Sequence, residues 1–195
     1  LEQRILVVNN NFLIFDDFYN NVDQVRNYAL GLDFNVRGNY PGLRTKPEEI
    51  NQLGYLQSFF EELLHKKITH WPSEYNTSYQ VTLEDSETWV HHDDTEWAGV
   101  LYLTPDPILD SGTSIYRHKE TLNYKYSSTD SIDYNNSEDA RNLDKWEPVL
   151  SSSNIYNRLV LYKGDMYHRS TIAGFGTTKE TGRLFQTFFF NTTGE

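Results

Sequence analysis

Apolar positions along the chain change their spacing twice. Ile5–Val8 and Phe12–Phe15 are short apolar runs on either side of Asn9-Asn10-Asn11, the pattern of a β-hairpin. Val22, Val25 and Ala29 then recur at helical spacing, and Gly31 supplies a stop. A second helix is predicted after Thr45-Lys46-Pro47-Glu48, which has capping-box spacing with Pro in the first turn. Its apolar stripe is Ile50, Leu53, Leu56, Phe60, Leu63 and Leu64. Both helices are expected to cover a sheet. From Tyr79 the pattern shortens to that of strands: Tyr79–Leu83, Thr88–His92 and Trp97–Leu103, separated by polar turn residues. The stretch from Arg117 to about Asn157 is rich in Ser, Asn, Asp and Tyr and is expected to be one long loop. Leu159–Tyr162 and Arg183–Phe190 return to strand character. Several short strands with turn signals predict a mostly-β sandwich or barrel.

Length and composition narrow the functional classes. The 195 residues suit a single domain, with residues 1–78 supporting a β core at 79–195. Aromatic residues make up 15% of the chain, enough to fill a core and to favour strands. The formal net charge of −11 disfavours a nucleic-acid partner, since neutralising phosphates takes clustered Lys and Arg. With no Cys, disulfides, thiolate metal ligands and a Cys nucleophile are excluded. No apolar run approaches membrane-spanning length, and no basic-then-apolar leader opens the sequence, so a cytoplasmic protein is expected.

Candidate chemistry concentrates in three places. Trp89-Val90-His91-His92-Asp93-Asp94 carries two His-x-Asp pairs, His91 with Asp93 and His92 with Asp94. In an extended chain residues two apart share a side, so either pair can reach one metal ion. His168, just after Gly164-Asp165-Met166-Tyr167, is the candidate third ligand. Two His and one carboxylate on one face of a metal leave three positions open, the arrangement of non-haem Fe(II) oxygenases. Taken alone, His-x-Asp is more often a polar turn than a ligand pair. Arg183 is the third place. It opens the most hydrophobic strand and alternates with Phe185 and Thr187 onto one face, opposite Leu184, Gln186 and Phe188. A buried Arg requires an anionic partner, either a structural salt bridge or a bound carboxylate. His65 and His70, five residues apart, read as surface residues, whereas His118 could face a substrate.

These residues, taken in order, resemble the Fe(II)/2-oxoglutarate-dependent dioxygenases, and within them the prolyl-hydroxylase-like branch. The resemblance rests on His-x-Asp, the strand Gly99-Val100-Leu101-Tyr102-Leu103-Thr104, Gly112-Thr113, Gly164-Asp165, His168 and Arg183. Ser111 stands where that branch has the first Gly of its turn. Phe15-Asp16-Asp17-Phe18-Tyr19-Asn20, Val25-Arg26-Asn27-Tyr28-Ala29-Leu30 and Tyr40-Pro41-Gly42-Leu43-Arg44-Thr45 look like an uncharacterised bacterial and phage subgroup.

The resemblance implies a double-stranded β-helix (a jelly-roll, cupin-like) with N-terminal helices packed on one sheet. It implies Fe(II) held by His91, Asp93 and His168, with His92 and Asp94 the second choice of pair. The cosubstrate would be 2-oxoglutarate, its far carboxylate on Arg183, Tyr102 and Thr187. With O2, such an enzyme hydroxylates a C–H bond and releases succinate and CO2. The expected substrate is a peptide or protein side chain or a small metabolite. The 117–157 stretch, with Tyr124, Tyr126, Tyr134, Trp146 and Tyr156, reads equally as a substrate lid or a solvated insertion. Arg169 could meet an acidic group of the substrate or an acidic surface. A metal-binding cupin-like protein and a non-enzymatic jelly-roll recognition protein are the alternatives.

Overall fold

The computed structural model describes residues 5–47, 53–130 and 132–194. The hairpin forms as expected, β1 (Ile5–Asn9) pairing antiparallel with β2 (Phe12–Phe15). The first helix, α1 (Val22–Leu30), ends at Gly31. A two-residue strand, β3 (Leu43–Arg44), precedes the second helix, α2 (Leu53–Leu64), and β4 (Ile68–His70) follows it. Glu48 of the expected capping box and Ile50 of the stripe lie outside the described residues. The Thr45 hydroxyl instead accepts the Tyr79 N–H at 3.1 Å, tying the chain to the sheet. The remaining strands are β5 (Tyr79–Thr82), β6 (Trp97–Tyr102), β7 (Thr113–His118), β8 (Trp146–Ser152), β9 (Leu159–Lys163), β10 (His168–Ser170) and β11 (Arg183–Thr192).

The strands form two antiparallel sheets. The large one runs β1-β2-β9-β6-β11-β5-β3, with β4 also paired to β11, and the small one runs β10-β7-β8. Alternation along the large sheet sends residues to two different interiors. Leu13, Phe15, Leu101, Leu159, Leu161, Leu184, Phe188 and Phe190 pack with Leu56 and Phe60 of α2 and Ala29 of α1. Both helices therefore cover one face of this sheet. Phe12, Ile14, Val100, Tyr102, Val160, Tyr162, Phe185 and Phe189 point the other way and pack with Ile115 of the small sheet. A sheet buried on both faces reads as near-continuous hydrophobic runs, as Leu159–Tyr162 and Leu184–Phe190 do.

Two expected elements differ. Thr88–His92 is not a strand; His91 alone makes a bridge, exchanging N–H···O bonds of 3.0 and 2.7 Å with His168. Its neighbours bond elsewhere: Val90 N–H reaches Ala140 O, and His92 N–H reaches the Asn135 side chain. Nor is 117–157 one long loop. It contains β8, whose register with β7 shifts between Ile115 and Tyr116, and short 3-10 turns at Tyr134–Asn136, Glu138–Arg141 and Leu143–Lys145. Tyr134 and Trp146 from this stretch are buried with Val90, Tyr116 and Tyr167 in a third apolar cluster.

Candidate metal and anion site

The His91–His168 bridge brings two distant segments together. Asp93 follows, held by its N–H to Gly164 O at 2.8 Å. Gly164 is needed for that approach, because a Cβ there would lie 2.0 Å from Thr95 O. As a result His91, Asp93 and His168 each offer a ligand atom, all within 4.8 Å of one another. The His91 and His168 rings stand 4.3 Å apart. Asp93 Oδ2 lies 3.3 Å from His168 Nε2.

The hydrogen bonds behind the rings fix what they can do. His91 Nδ1 faces Trp89 O at 3.1 Å and His168 Nδ1 faces Met166 O at 2.8 Å. A carbonyl only accepts, so each Nδ1 carries the proton, and in a neutral ring Nε2 keeps its lone pair. His168 Nε2 faces the Asp93 carboxylate, where either a ring proton or a metal cation can lie between the two. Ring N–H donation to a carbonyl is how metal-bound histidines are oriented. Burial and the neighbouring His168 lower the His91 pKa to about 4, the form a metal needs. Burial opposes the Asp93 carboxylate, yet His168, His91 and Arg44 together hold its pKa below the usual value. This donor set fits a divalent transition metal with open positions.

The same cavity, about 540 Å³ with its open mouth included, is lined by Arg183, Thr187, Phe185 and Thr113 as well as the three candidate ligands. Arg183 is 3% exposed. Its Nε donates to Ser111 O at 2.6 Å and an Nη to Gly112 O at 3.3 Å, and its guanidinium carbon sits 4.4 Å from the centre of the Phe185 ring. Among the described residues no carboxylate pairs with it. Burial lowers its pKa, opposed by Tyr102 and Tyr162. Tyr102 is fully buried, its hydroxyl 2.8 Å from Thr113 Oγ1, and burial keeps it protonated by raising its pKa. The Thr187 hydroxyl donates to Ser78 O at 3.3 Å.

The second His-x-Asp pair goes elsewhere. The His92 ring stacks on Tyr126 at 4.1 Å and 2°, and its Nε2 lies 3.3 Å from Asp133. Asp94 is exposed at the rim of an adjoining outer cleft. His118, expected to be able to face a substrate, is buried in the third apolar cluster instead, between Tyr134 and Trp146, with Nε2 3.3 Å from Asp139. His118 lines neither the cavity nor the adjoining cleft. His65 and His70 are exposed.

Among the cavity residues to which the sequence gave no firm role are Arg44, Tyr162 and Arg169. Arg44 belongs to the Tyr40-Pro41-Gly42-Leu43-Arg44 run, which was visible as a motif without a role. Tyr162 looks like any core aromatic of a strand. Arg169 lines the cavity and not an acidic surface, its Nε bonded to Ser170 O at 2.8 Å.

In fold, the chain is similar to HygX from Streptomyces hygroscopicus. The crystal structure of HygX with nickel, 2-oxoglutarate and hygromycin B bound matches with a TM-score of 0.60 at 11% identity, over 92% of this chain and 82% of that one. HygX with nickel and 2-oxoglutarate bound matches with a TM-score of 0.55 at 12% identity, over the same 92% and 82%. The Fe(II)/α-ketoglutarate-dependent dioxygenase TqaL aligns more loosely, with a TM-score of 0.42 at 11% identity over 88% of this chain and 73% of TqaL. Among the described residues no helix is long and apolar enough to cross a membrane. No functionally curated protein matches the sequence. A family model does match, over residues 2–190, and the chain belongs to that family, the family of unknown function DUF6445.

Proposed function

We propose that the chain is a non-haem Fe(II)- and 2-oxoglutarate-dependent oxygenase that hydroxylates a C–H bond of a small metabolite or a peptide side chain. On this reading the two sheets are a double-stranded β-helix of the prolyl-hydroxylase-like branch, and the chain is one domain, since its largest apolar cluster draws on both α2 and β11. His91, Asp93 and His168 would hold iron. The carrying observation is that Arg183, a buried cation with no carboxylate partner among the described residues, shares a cavity with those ligands. A dicarboxylate that chelates the metal at one end fits such a cavity, with Arg183 receiving the other end. Tyr102 and Thr187 would complete that carboxylate's hydrogen bonds. HygX, with nickel and 2-oxoglutarate bound in a similar fold, supports the reading.

Bound iron would activate O2, which is the oxidant of both the cosubstrate and the C–H bond, with succinate and CO2 as products of the cosubstrate. The chain's part is positional. The carbonyls of Trp89 and Met166 orient the ligand rings. The carbonyls of Ser111 and Gly112 aim the Arg183 guanidinium, and the Phe185 ring packs against it.

The test is anaerobic Fe(II) titration with and without 2-oxoglutarate, following the visible charge-transfer band of the chelate. The band should require both components and vanish in His168→Ala. Arg183→Ala should need at least about tenfold more 2-oxoglutarate, the scale of one lost charged hydrogen bond. Folded wild-type protein with no band would overturn the reading and favour a metal-binding or recognition protein of the same fold.

A further inference from the structure

The cavity and the outer cleft share Arg44, Tyr40, Phe189 and the ligands His91 and Asp93. Arg44 thus stands where the metal site opens outward, and Arg183 does not reach the cleft. Its placement is built. Gly42 turns the chain at φ +71°, where a Cβ would lie 2.1 Å from Val81 O, and delivers Arg44 to β3 opposite Gln80. Nε then donates to Gln80 Oε1 at 2.6 Å, and the guanidinium lies 3.8 Å over the Tyr40 ring. Both contacts fix the plane of the group. Neither uses the Nη edge, which has no hydrogen bond or ion pair among the described residues.

Charge makes that edge informative. The cavity lining holds Arg44, Arg169 and Arg183 against the single carboxylate of Asp93, in a chain of net charge −11. With neutral histidines this leaves two positive charges in surplus. A divalent metal adds two and a dicarboxylate cosubstrate removes two, so the surplus persists. Two positive charges are thus left for further anionic groups, and among the described residues Arg44 is the one Lys or Arg lining the outer cleft, which also holds Asp93 and Asp94.

We infer that Arg44 is a specificity-determining residue that binds a carboxylate of the primary substrate through its free Nη edge. This rests on the oxygenase reading above, which assigns the cosubstrate's two carboxylates to the metal and to Arg183. Two coplanar N–H donors match a carboxylate bidentately, and the lack of a second cation in the cleft suits a monoanion better than a phosphate. The carboxylate belongs to a small acid or to a peptide C-terminus.

The test is calorimetry on the Fe(II)- and 2-oxoglutarate-loaded protein under anaerobic conditions at low salt. N-acetylglycine, N-acetyltetraglycine, their C-terminal amides and inorganic phosphate are the probes. The acids should bind wild type at least about tenfold more tightly than the amides, and Arg44→Gln should abolish that preference while Arg44→Lys keeps part of it. Tighter binding of the longer acid assigns a peptide terminus, and equal binding of the two acids a small acid; both support the inference. Equal binding of acid and amide, no binding of either acid, or tighter binding of phosphate overturns it. So does Arg44→Gln raising the 2-oxoglutarate requirement as Arg183→Ala does, because Arg44 would then hold cosubstrate. A missing charge-transfer band instead breaks the oxygenase reading, and the acid–amide preference is read on that same protein regardless.

Discussion

The two faces of the large sheet are built from the same strands and do opposite work. On the helix side, Leu184, Phe188 and Phe190 of β11 share a cluster with Phe60, whose ring lies 5.4 Å from Phe188 and 4.8 Å from Phe190. On the other side, one residue out of step, the same strand presents Arg183, Phe185, Thr187 and Phe189 to the cavity. A period of two therefore separates apolar packing from the candidate chemistry within one ten-residue strand. The lesson is that substitutions on neighbouring residues should divide cleanly between stability and binding.

The sharpest break of that comparison is Phe188→Ala against Thr187→Val. Phe188 is fully buried beneath α2, so truncation leaves a large cavity and should cost about 3–5 kcal/mol of unfolding free energy. Thr187→Val keeps the volume and removes one 3.3 Å bond to Ser78 O, a change of about 1 kcal/mol. Urea denaturation measures both, and the charge-transfer titration should show the reverse order, with Thr187→Val raising the 2-oxoglutarate requirement several-fold. Similar losses of stability for the two variants would show that the faces are not separable.

A medium effect comes from pH. The helix-side cluster is apolar, whereas the cavity carries His91 beside His168, Asp93 and Arg44. The folded-state pKa of His91 is lowered to about 4 by burial and by His168. In the unfolded chain it is near 6.5, so the unfolded state binds more protons between those values and stability falls as pH drops through that window. The shift sets a ceiling of about 3 kcal/mol, and the partial exposure of the ring reduces that to about 2 kcal/mol. Metal-free wild type should therefore lose urea resistance from pH 7 to pH 4.5, and His91→Asn should flatten the slope. An unchanged slope in that variant would assign the pH response elsewhere.

What the sequence made legible follows the same division. The paired runs of the large sheet were readable because burial on both faces leaves a continuous apolar signal, as in Leu159–Tyr162. The helix stripe through Leu56 and Phe60 was readable because its partner is a flat apolar face. β8 was not: Pro148 interrupts it, Val149 is 47% exposed, and its pairing to β7 contains a bulge, so Trp146–Ser152 has neither alternation nor continuity. Thr88–His92 looked like a strand because its residues are β-prone, but only His91 finds a strand partner, and the sequence does not say which residue lies opposite. Arg44 lies far along the chain from Asp93 and joins the site through a two-residue strand, too short to leave a pattern.

The smallest expected effect concerns the dipeptide His91-His92, where the alternation is tested one residue at a time. Both histidines are largely shielded, and each stands two positions before an Asp. Yet His91 turns to His168 while His92 stacks on Tyr126 and approaches Asp133 in the stretch between β7 and β8. Asp133 is half exposed, so its pairing with His92 contributes about 1 kcal/mol at most. His92→Ala should lower stability by about 1 kcal/mol and leave Fe(II) affinity within about twofold, whereas His91→Ala should abolish it. The measurement is anaerobic Fe(II) titration of both variants alongside wild type. Equal losses of affinity would mean that the extended segment slides by one residue when metal binds, exchanging His91 and Asp93 for His92 and Asp94. That slip would turn Val90 out of its apolar cluster and break the Asp93 N–H bond to Gly164 O, and those two costs are what hold the register that puts His91 on the cavity side.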